Sequence, residues 1–244
     1  MKNYQKTVQN SYGQNIGLPV EEISSKPIEY STLEHQYVAL ELLSEDISPA
    51  SLEQIWQTVR SEPSLSCWTY LPYEEFSNSK ELETFLNQNA QTANTKFYLI
   101  NVNQKLVGWI ALLNIRTDSR VVEIGNVYFS HMMKQSRSAT ATLYLLLNFC
   151  FENGFRRVEW KCNELNLPSE KAALRFGFQF EGLFRQDRVL KGHNRNTKWF
   201  SILDEEWLQI RKAYLGWLGD DNFDSSGHQK NNLNYFMDQY LRID

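Results

Sequence analysis

The sequence predicts an α/β protein, an α+β arrangement in which one mixed sheet carries helices on both faces. Two observations carry this expectation. The segments "KFYLINV", "KLVGWIALLNI" and "VVEIGNVYF" follow one another as strands, with turns rich in Asn, Asp and Ser between them, the pattern of antiparallel neighbours. "VVEIGNVYF" is then joined to "RRVEWKC" through a long helix, so those two strands are expected to be parallel and close together.

Residues 1–35 are polar and weakly patterned, an arm or wrapping segment. "HQYVALELL" alternates as a strand. Ser48 and Pro49 open a helix whose apolar stripe is Leu52, Ile55, Trp56 and Val59. A second short helix carries Leu82, Phe85 and Leu86. After the three strands, a helix from Arg137 to Glu152 repeats Ala139, Leu143, Leu146, Leu147, Cys150 and Phe151 at helical spacing, and Asn153-Gly154 stops it. Beyond "RRVEWKC", the stretch "NELNLPSEKAALRFGFQFEG" holds a helix, a stop at Gly177 and the start of another strand. "RQDRVLKGHNRNTKWFSILD" reads as a hairpin, and a final helix begins near Asp204 with Trp207, Tyr214 and Leu218 on it. The last twenty-odd residues are expected to be loosely held. This divides the chain into an arm (1–35), a principal domain (36–204) and a C-terminal helix and tail (205–244).

The formal net charge of -4 argues against a nucleic-acid binder, which normally shows a basic excess. Three widely spaced cysteines, Cys67, Cys150 and Cys162, form no Cys-x-x-Cys pair, so neither a zinc site nor a disulfide framework is indicated. Reduced thiols fit a cytoplasmic protein. The opening "MKNYQKTVQNSYGQN" has no apolar stretch for a signal peptide. The most apolar segment, Leu143–Phe151, is interrupted by Asn148 and is too short to span a bilayer. His35, His131, His193 and His228 lack metal-ligand spacing, and no metal is expected.

Two helix starts are candidates for chemistry. In "HMMKQSRSATAT", Ser136 caps a helix whose first residues are small, so an anion can approach its free N–H groups, with Lys134 and Arg137 adding positive charge. The alternative is a capped helix whose small-residue face packs on the sheet. In "NELNLPSEK", Asn166 can cap the helix by accepting from the N–H of Ser169, with Pro168 in the first turn. Ser169 then sits where the helix N-terminus stabilises a developing anion, and its hydroxyl can protonate a leaving thiolate. The alternative is Asn as cap and Ser as filler. Both helices follow strands of one crossover, so both N-termini face the end of a parallel pair where α/β sheets bind ligands.

The sequence resembles the GNAT-type N-acetyltransferases of the RimJ/RimL-like branch. The resemblance is carried by "WTYLPYEEF", "VGWIAL", "EIGNVYFS", "SATATLYLLL", "GFRRVEWKCNELNLPSEKAALRFGFQFEG" and "KGHNRNTKWFSILDEEW", and spans roughly Gly17 to Gly227. It implies a GNAT-like fold in which two central parallel strands, here 121–129 and 156–162, splay apart to admit acetyl-CoA. It implies that the pantetheine arm pairs with the first strand along Val127 and Phe129. The pyrophosphate would rest on the turn Lys134, Gln135, Ser136, Arg137, Ser138, Ala139 and Thr140. Asn166 would contact the cofactor arm, and Ser169 would protonate the departing thiolate. The expected reaction is direct attack of a primary amine, of a small molecule or a protein N-terminus, on the thioester. A base takes the amine's proton, and a backbone N–H on the splayed strand stabilises the oxyanion.

Glu123 is the first candidate for the base; its alternatives are a strand-edge carboxylate or an ion pair with Arg120. Asp187 and Glu181 follow, Glu181 reading better as a structural residue. Trp68, Tyr70, Tyr73 and Phe76 are candidates for the acceptor side of the cleft, as is Asp187, with core packing the alternative for the aromatics. Three positions depart from the family pattern. Arg137 stands where Gly is usual, and a left-handed backbone would be strained there. Ala141 replaces a common acidic residue, and Asn196 a usual Asp. Rival expectations are a non-catalytic coenzyme A-binding regulator and an RNA-associated protein using Arg185, Arg188, Lys191, Arg195 and Lys198. Either a monomer or a homodimer is compatible with the sequence.

Overall fold

The computed structural model describes residues 6–20 and 27–241. Residues 1–5 and 21–26 of the expected arm and 242–244 of the tail lie outside them. Strands β1 (Thr7–Gln9) and β2 (Asn15–Gly17) form a small exposed hairpin. The main sheet has eight strands: β3 (Leu33–His35), β4 (Val38–Leu43), β5 (Lys96–Val102), β6 (Lys105–Arg116), β7 (Val121–Phe129), β8 (Arg157–Asn163), β9 (Gln179–Leu190) and β10 (His193–Leu203). Their order is β3-β4-β5-β6-β7-β8-β10-β9, and the β7–β8 pair is parallel while the others are antiparallel. The expected crossover is therefore present. Two expectations at the ends are corrected. The expected arm supplies the edge strand β3, and Ile28 and Tyr30 pack against the core.

Local signals set the helices. Helix α1 (Pro49–Arg60) begins at Ser48, whose side chain accepts from the N–H of Ser51 at 3.1 Å, with Pro49 in the first position. Asn78 caps α2 (Ser79–Ala90). Ser136 caps α3 (Arg137–Glu152), and Asn166 caps α4 (Leu167–Arg175). Gly177, at φ 93°, ends α4, and the N–H of Phe178 returns to the carbonyl of Ala173 at 3.0 Å. Helix α5 (Asp204–Leu218) opens on three acidic residues, and Glu206 accepts from the N–H of Leu203 at 2.8 Å. Helix α6 (Leu233–Leu241) is the second correction: Leu233 and Met237 are buried against the body, so much of the tail is packed rather than loose.

Two cores sandwich the sheet. On one face α3, α5 and α6 cover Tyr98, Ile110, Val122, Ile124, Val158, Phe200 and Ile202. On the other, α1, α2 and a 3-10 turn at Leu65–Trp68 cover Phe97, Leu99, Trp109, Ala111 and Tyr128. Each fully buried large apolar side chain contributes about 1.5–3 kcal/mol relative to exposure. Both faces are thus tied to the strands flanking β7, and β7 is held firmly on its β6 side.

Candidate active site

The ladder between β7 and β8 runs from Val121 opposite Arg157 to Ile124 opposite Trp160, and among the described residues it goes no further. From Gly125 to Phe129, β7 turns away. Its other edge is irregular over the same stretch. Pairing with β6 passes from Ala111 opposite Gly125 to Trp109 opposite Tyr128, so β7 spends three steps where β6 spends two. This is a β-bulge, and Asn126 within it has φ 49°. The extra residue inverts the alternation: Ile124 enters one core and Tyr128 the other, although they are four residues apart. Glu123 and Gly125 precede the bulge, Val127 lies within it and Phe129 follows it, and these last two pack at the margin of the α3 core. Gly108 allows β6 to approach here, since a Cβ on it would meet the Tyr128 carbonyl oxygen at 2.1 Å.

The wall of the gap on the β8 side is the start of α4. Asn166 Oδ1 accepts from the N–H of Ser169 at 3.2 Å, as the local sequence predicts. Ser169 Oγ accepts from Trp160 Nε1 at 3.1 Å, which occupies a lone pair and leaves the hydroxyl proton for donation. Trp160 was not among the expected site residues; its place on β8, nine residues before Ser169, was the available signal. Burial pushes the neighbouring Cys162 thiol up, an effect the hydrogen bond with Ser169 partly offsets.

The turn into α3 forms the second helix start. Ser136 Oγ accepts from the N–H of Ala139 at 3.0 Å, while the N–H groups of Arg137 and Ser138 begin the helix without carbonyls a turn earlier to bond. The left-handed residue is Gln135, at φ 61°; Arg137 is the first helical residue, so the expected strain at its Cβ does not arise. Its guanidinium is also not presented to the turn. It donates to the Leu218 carbonyl and to Asp220 Oδ1 (2.9 Å), and lies 3.9 Å from the ring centroids of both Tyr37 and Phe223. Ser138 Oγ donates to the Tyr37 carbonyl at 2.9 Å, and Thr140 Oγ1 accepts from Arg175 at 3.1 Å. Lys134 and Gln135 are exposed, whereas Ala139, Thr140, Ala141 and Thr142 are buried. The small-residue stripe thus does pack, and only its first turn faces outward.

On the opposite face Glu123 is buried. Its Oε2 accepts from Lys161 Nζ and from Asn114 Nδ2, both at 2.7 Å. Lys161 also lies 3.2 Å from Glu159 Oε2 and 3.8 Å from the centroid of Trp199. Lys161 was missed as a site residue, yet it stands two positions beyond Glu159, which the parallel ladder places opposite Glu123. Trp68 is a core residue, 3% exposed and stacked on Tyr128 at 4.8 Å. The Tyr70 hydroxyl donates to the Leu165 carbonyl at 3.1 Å and bridges to the loop before α4. The Tyr73 hydroxyl donates to Asn126 Oδ1 at 2.9 Å. Asp187, on β9, has Oδ2 at 3.4 Å from Arg188 Nε. Glu181 pairs with Arg157 and accepts from Ser201 at 2.8 Å, a structural role. Asn196 donates to Glu164 and accepts from the N–H of Gln186, both at 2.8 Å, so it ties the hairpin to the α4 loop.

Paired strands that part beside two exposed helix N-termini define a site for a long, anionic, arm-like ligand. The comparisons agree. The profile of the family described as "Acetyltransferase (GNAT) family" matches residues 55–178. A GCN5-related N-acetyltransferase from Brucella melitensis is 35% identical, over 87% of this chain and 96% of that one, with a TM-score of 0.83. A probable GNAT-family acetyltransferase from Chromobacterium violaceum is 30% identical, over 79% and 98%, with a TM-score of 0.69. The microcin C7 self-immunity acetyltransferase in complex with acetyl-CoA and AMP is 18% identical over 69% and 93%, with a TM-score of 0.61, and shows the fold alone. A search of curated proteins finds no match. The chain belongs to the GNAT acetyltransferase family. Acetyl-CoA is the family's acyl donor, and the residues fit it: the β7 edge beyond Ile124 is free of β8, and the first N–H groups of α3 are free of the helix ladder.

Proposed function

We propose that this chain is an acetyl-CoA-dependent N-acetyltransferase acting on a primary amine, of the RimJ/RimL-like branch. The observation that carries the reading is the gap between β7 and β8, flanked by Ser169 and by the start of α3. Acetyl-CoA would supply the activated acyl group. Val127 and Phe129 offer backbone groups to its arm. The turn from Lys134 to Thr140 offers N–H groups to its phosphates, and Asn166 orients the start of α4. Ser169 gives its proton to the departing thiolate. Glu123 takes the amine's proton, directly or through water; Lys161 and Asn114 hold its carboxylate in place. Tyr70 and Asp187 flank the acceptor side.

The motifs shared with RimJ/RimL-like enzymes support a protein N-terminus as acceptor, with a small-molecule amine as the other class. Two of the basic residues of the β9–β10 hairpin weigh against an RNA surface there. Lys191 is taken by the Trp68 carbonyl (2.8 Å) and Glu74 (3.1 Å), and Lys198 by Glu170 (2.8 Å). The second reading, a coenzyme A-binding regulator without turnover, is favoured by the close ion pair on Glu123. Calorimetry with acetyl-CoA, followed by acetyl transfer to a panel of N-terminal peptides and small amines, separates them. Binding with coenzyme A release that depends on an amine supports the enzyme. Binding without transfer to any member supports the regulator, and no binding removes both.

A further inference from the structure

Beside the gap lies the bulge in β7, and within it Asn126 adopts a left-handed conformation. Asparagine tolerates that conformation better than most residues but does not enforce it. Three side chains enforce it here. Trp109 Nε1 donates to the Tyr73 hydroxyl at 2.9 Å, and that hydroxyl donates to Asn126 Oδ1 at 2.9 Å. Asn126 Nδ2 reaches Asn89 Oδ1 on α2 at 3.4 Å. Trp109 is the β6 residue opposite Tyr128, the first pair after the register slips. The relay therefore leaves β6 at one side of the bulge and returns to β7 inside it. Tyr73 itself is fixed by rings: Phe85 at 4.3 Å, Phe76 at 5.5 Å and Trp109 at 6.4 Å between centroids.

We propose that Tyr73 is a positioning residue of the acetyl-CoA cleft, whose hydroxyl pins the left-handed Asn126 and so keeps β7 bulged away from β8. This rests on reading the gap as that cleft. Tyr73 does not contact the acceptor through its hydroxyl, which already serves Trp109 and Asn126. The segment that carries it also holds the acceptor edge, through Tyr70 to Leu165 and through the Trp68 carbonyl to Lys191. One short loop thus connects the bulge with the rim of the site.

The test compares Tyr73→Phe, Asn126→Leu and the double variant with the parent. Two ligands are titrated: acetyl-CoA, and adenosine 3′,5′-bisphosphate, which lacks the pantetheine arm. Amide hydrogen exchange is followed over residues 125–129 in the free proteins. Each single variant is expected to bind acetyl-CoA about tenfold more weakly. The bisphosphate should bind unchanged, and the double variant should be no worse than either single one. Exchange should quicken at residues 125–129 and not in β5. Parental acetyl-CoA affinity in Tyr73→Phe, losses that multiply in the double variant, or equal weakening of both ligands overturns the relay. If the parent ignores acetyl-CoA, the reading of the cleft fails instead, and the exchange comparison still decides whether Tyr73 holds the bulge.

Discussion

Ser169 and Glu123 differ in how firmly their surroundings commit them. Trp160 donates to Ser169, and the hydrogen bond to Cys162 favours the thiolate, so the Ser169 hydroxyl is arranged as a donor. Ser169→Ala is expected to lower kcat by about a hundredfold while changing the KM for acetyl-CoA less than twofold. Equal losses in both would mean that Ser169 only shapes the pocket. Glu123 is held on one oxygen by Lys161 and Asn114, so it is oriented but already engaged. Glu123→Gln should flatten the alkaline rise of the rate; an unaltered pH profile would move the base elsewhere. The Asn166 cap and Ser169 were legible in the sequence because a cap is made by residues three apart on one chain. The Lys161 partner was not legible, because it depends on which strand lies beside β7 and in what register.

Among the elements, α3 shows how a site borrows its rigidity. Arg137 at its first position looked like a phosphate ligand or a strained substitute for glycine. It is instead the core of a clamp that joins α3 to Tyr37, the end of α5 and Phe223. Asp220 closes that clamp by accepting from Arg137 at 2.9 Å and from the Tyr37 hydroxyl at 2.7 Å. Asp220→Ala is expected to lower Tm by about 1–2 °C and to raise the KM for acetyl-CoA, because the first turn of α3 loses one of its fixed neighbours. An altered Tm with unaltered KM would separate the clamp from the cleft. Helix α6 was underestimated for a related reason. It is short, and although most of its residues are apolar or aromatic, burial of Leu233 and Met237 depends on the surface left by α5 and Gly177.

Across the whole molecule, the strands around the gap are joined by charge as well as by apolar packing. Hydrogen bonds from Arg157 hold the Glu181 carboxyl below the usual range. Burial raises Glu159, but Arg116, Arg157 and Lys161 outweigh it and leave its pKa lowered. Both groups bind fewer protons folded than unfolded, so their stabilisation is complete above the ordinary carboxylate pKa of about 4 and is lost as pH falls through the lower folded values. Arg157→Met should therefore lower Tm most at pH 6–7, with the gap to the parent narrowing on acidification toward about pH 3. A gap that stays constant over that range would show that Arg157 acts through packing alone. The sequence by itself determined the strand and helix order from β4 to α5, the crossover and the caps at Ser48, Ser136 and Asn166, because each follows from periodicity or from contacts within a turn of chain. The tertiary structure alone decided the bulge at Asn126, the Glu123–Lys161 pair, the clamp on Arg137 and the docking of α6. Each of these joins side chains from separate elements, and such contacts exist only once the sheet has fixed which elements are neighbours.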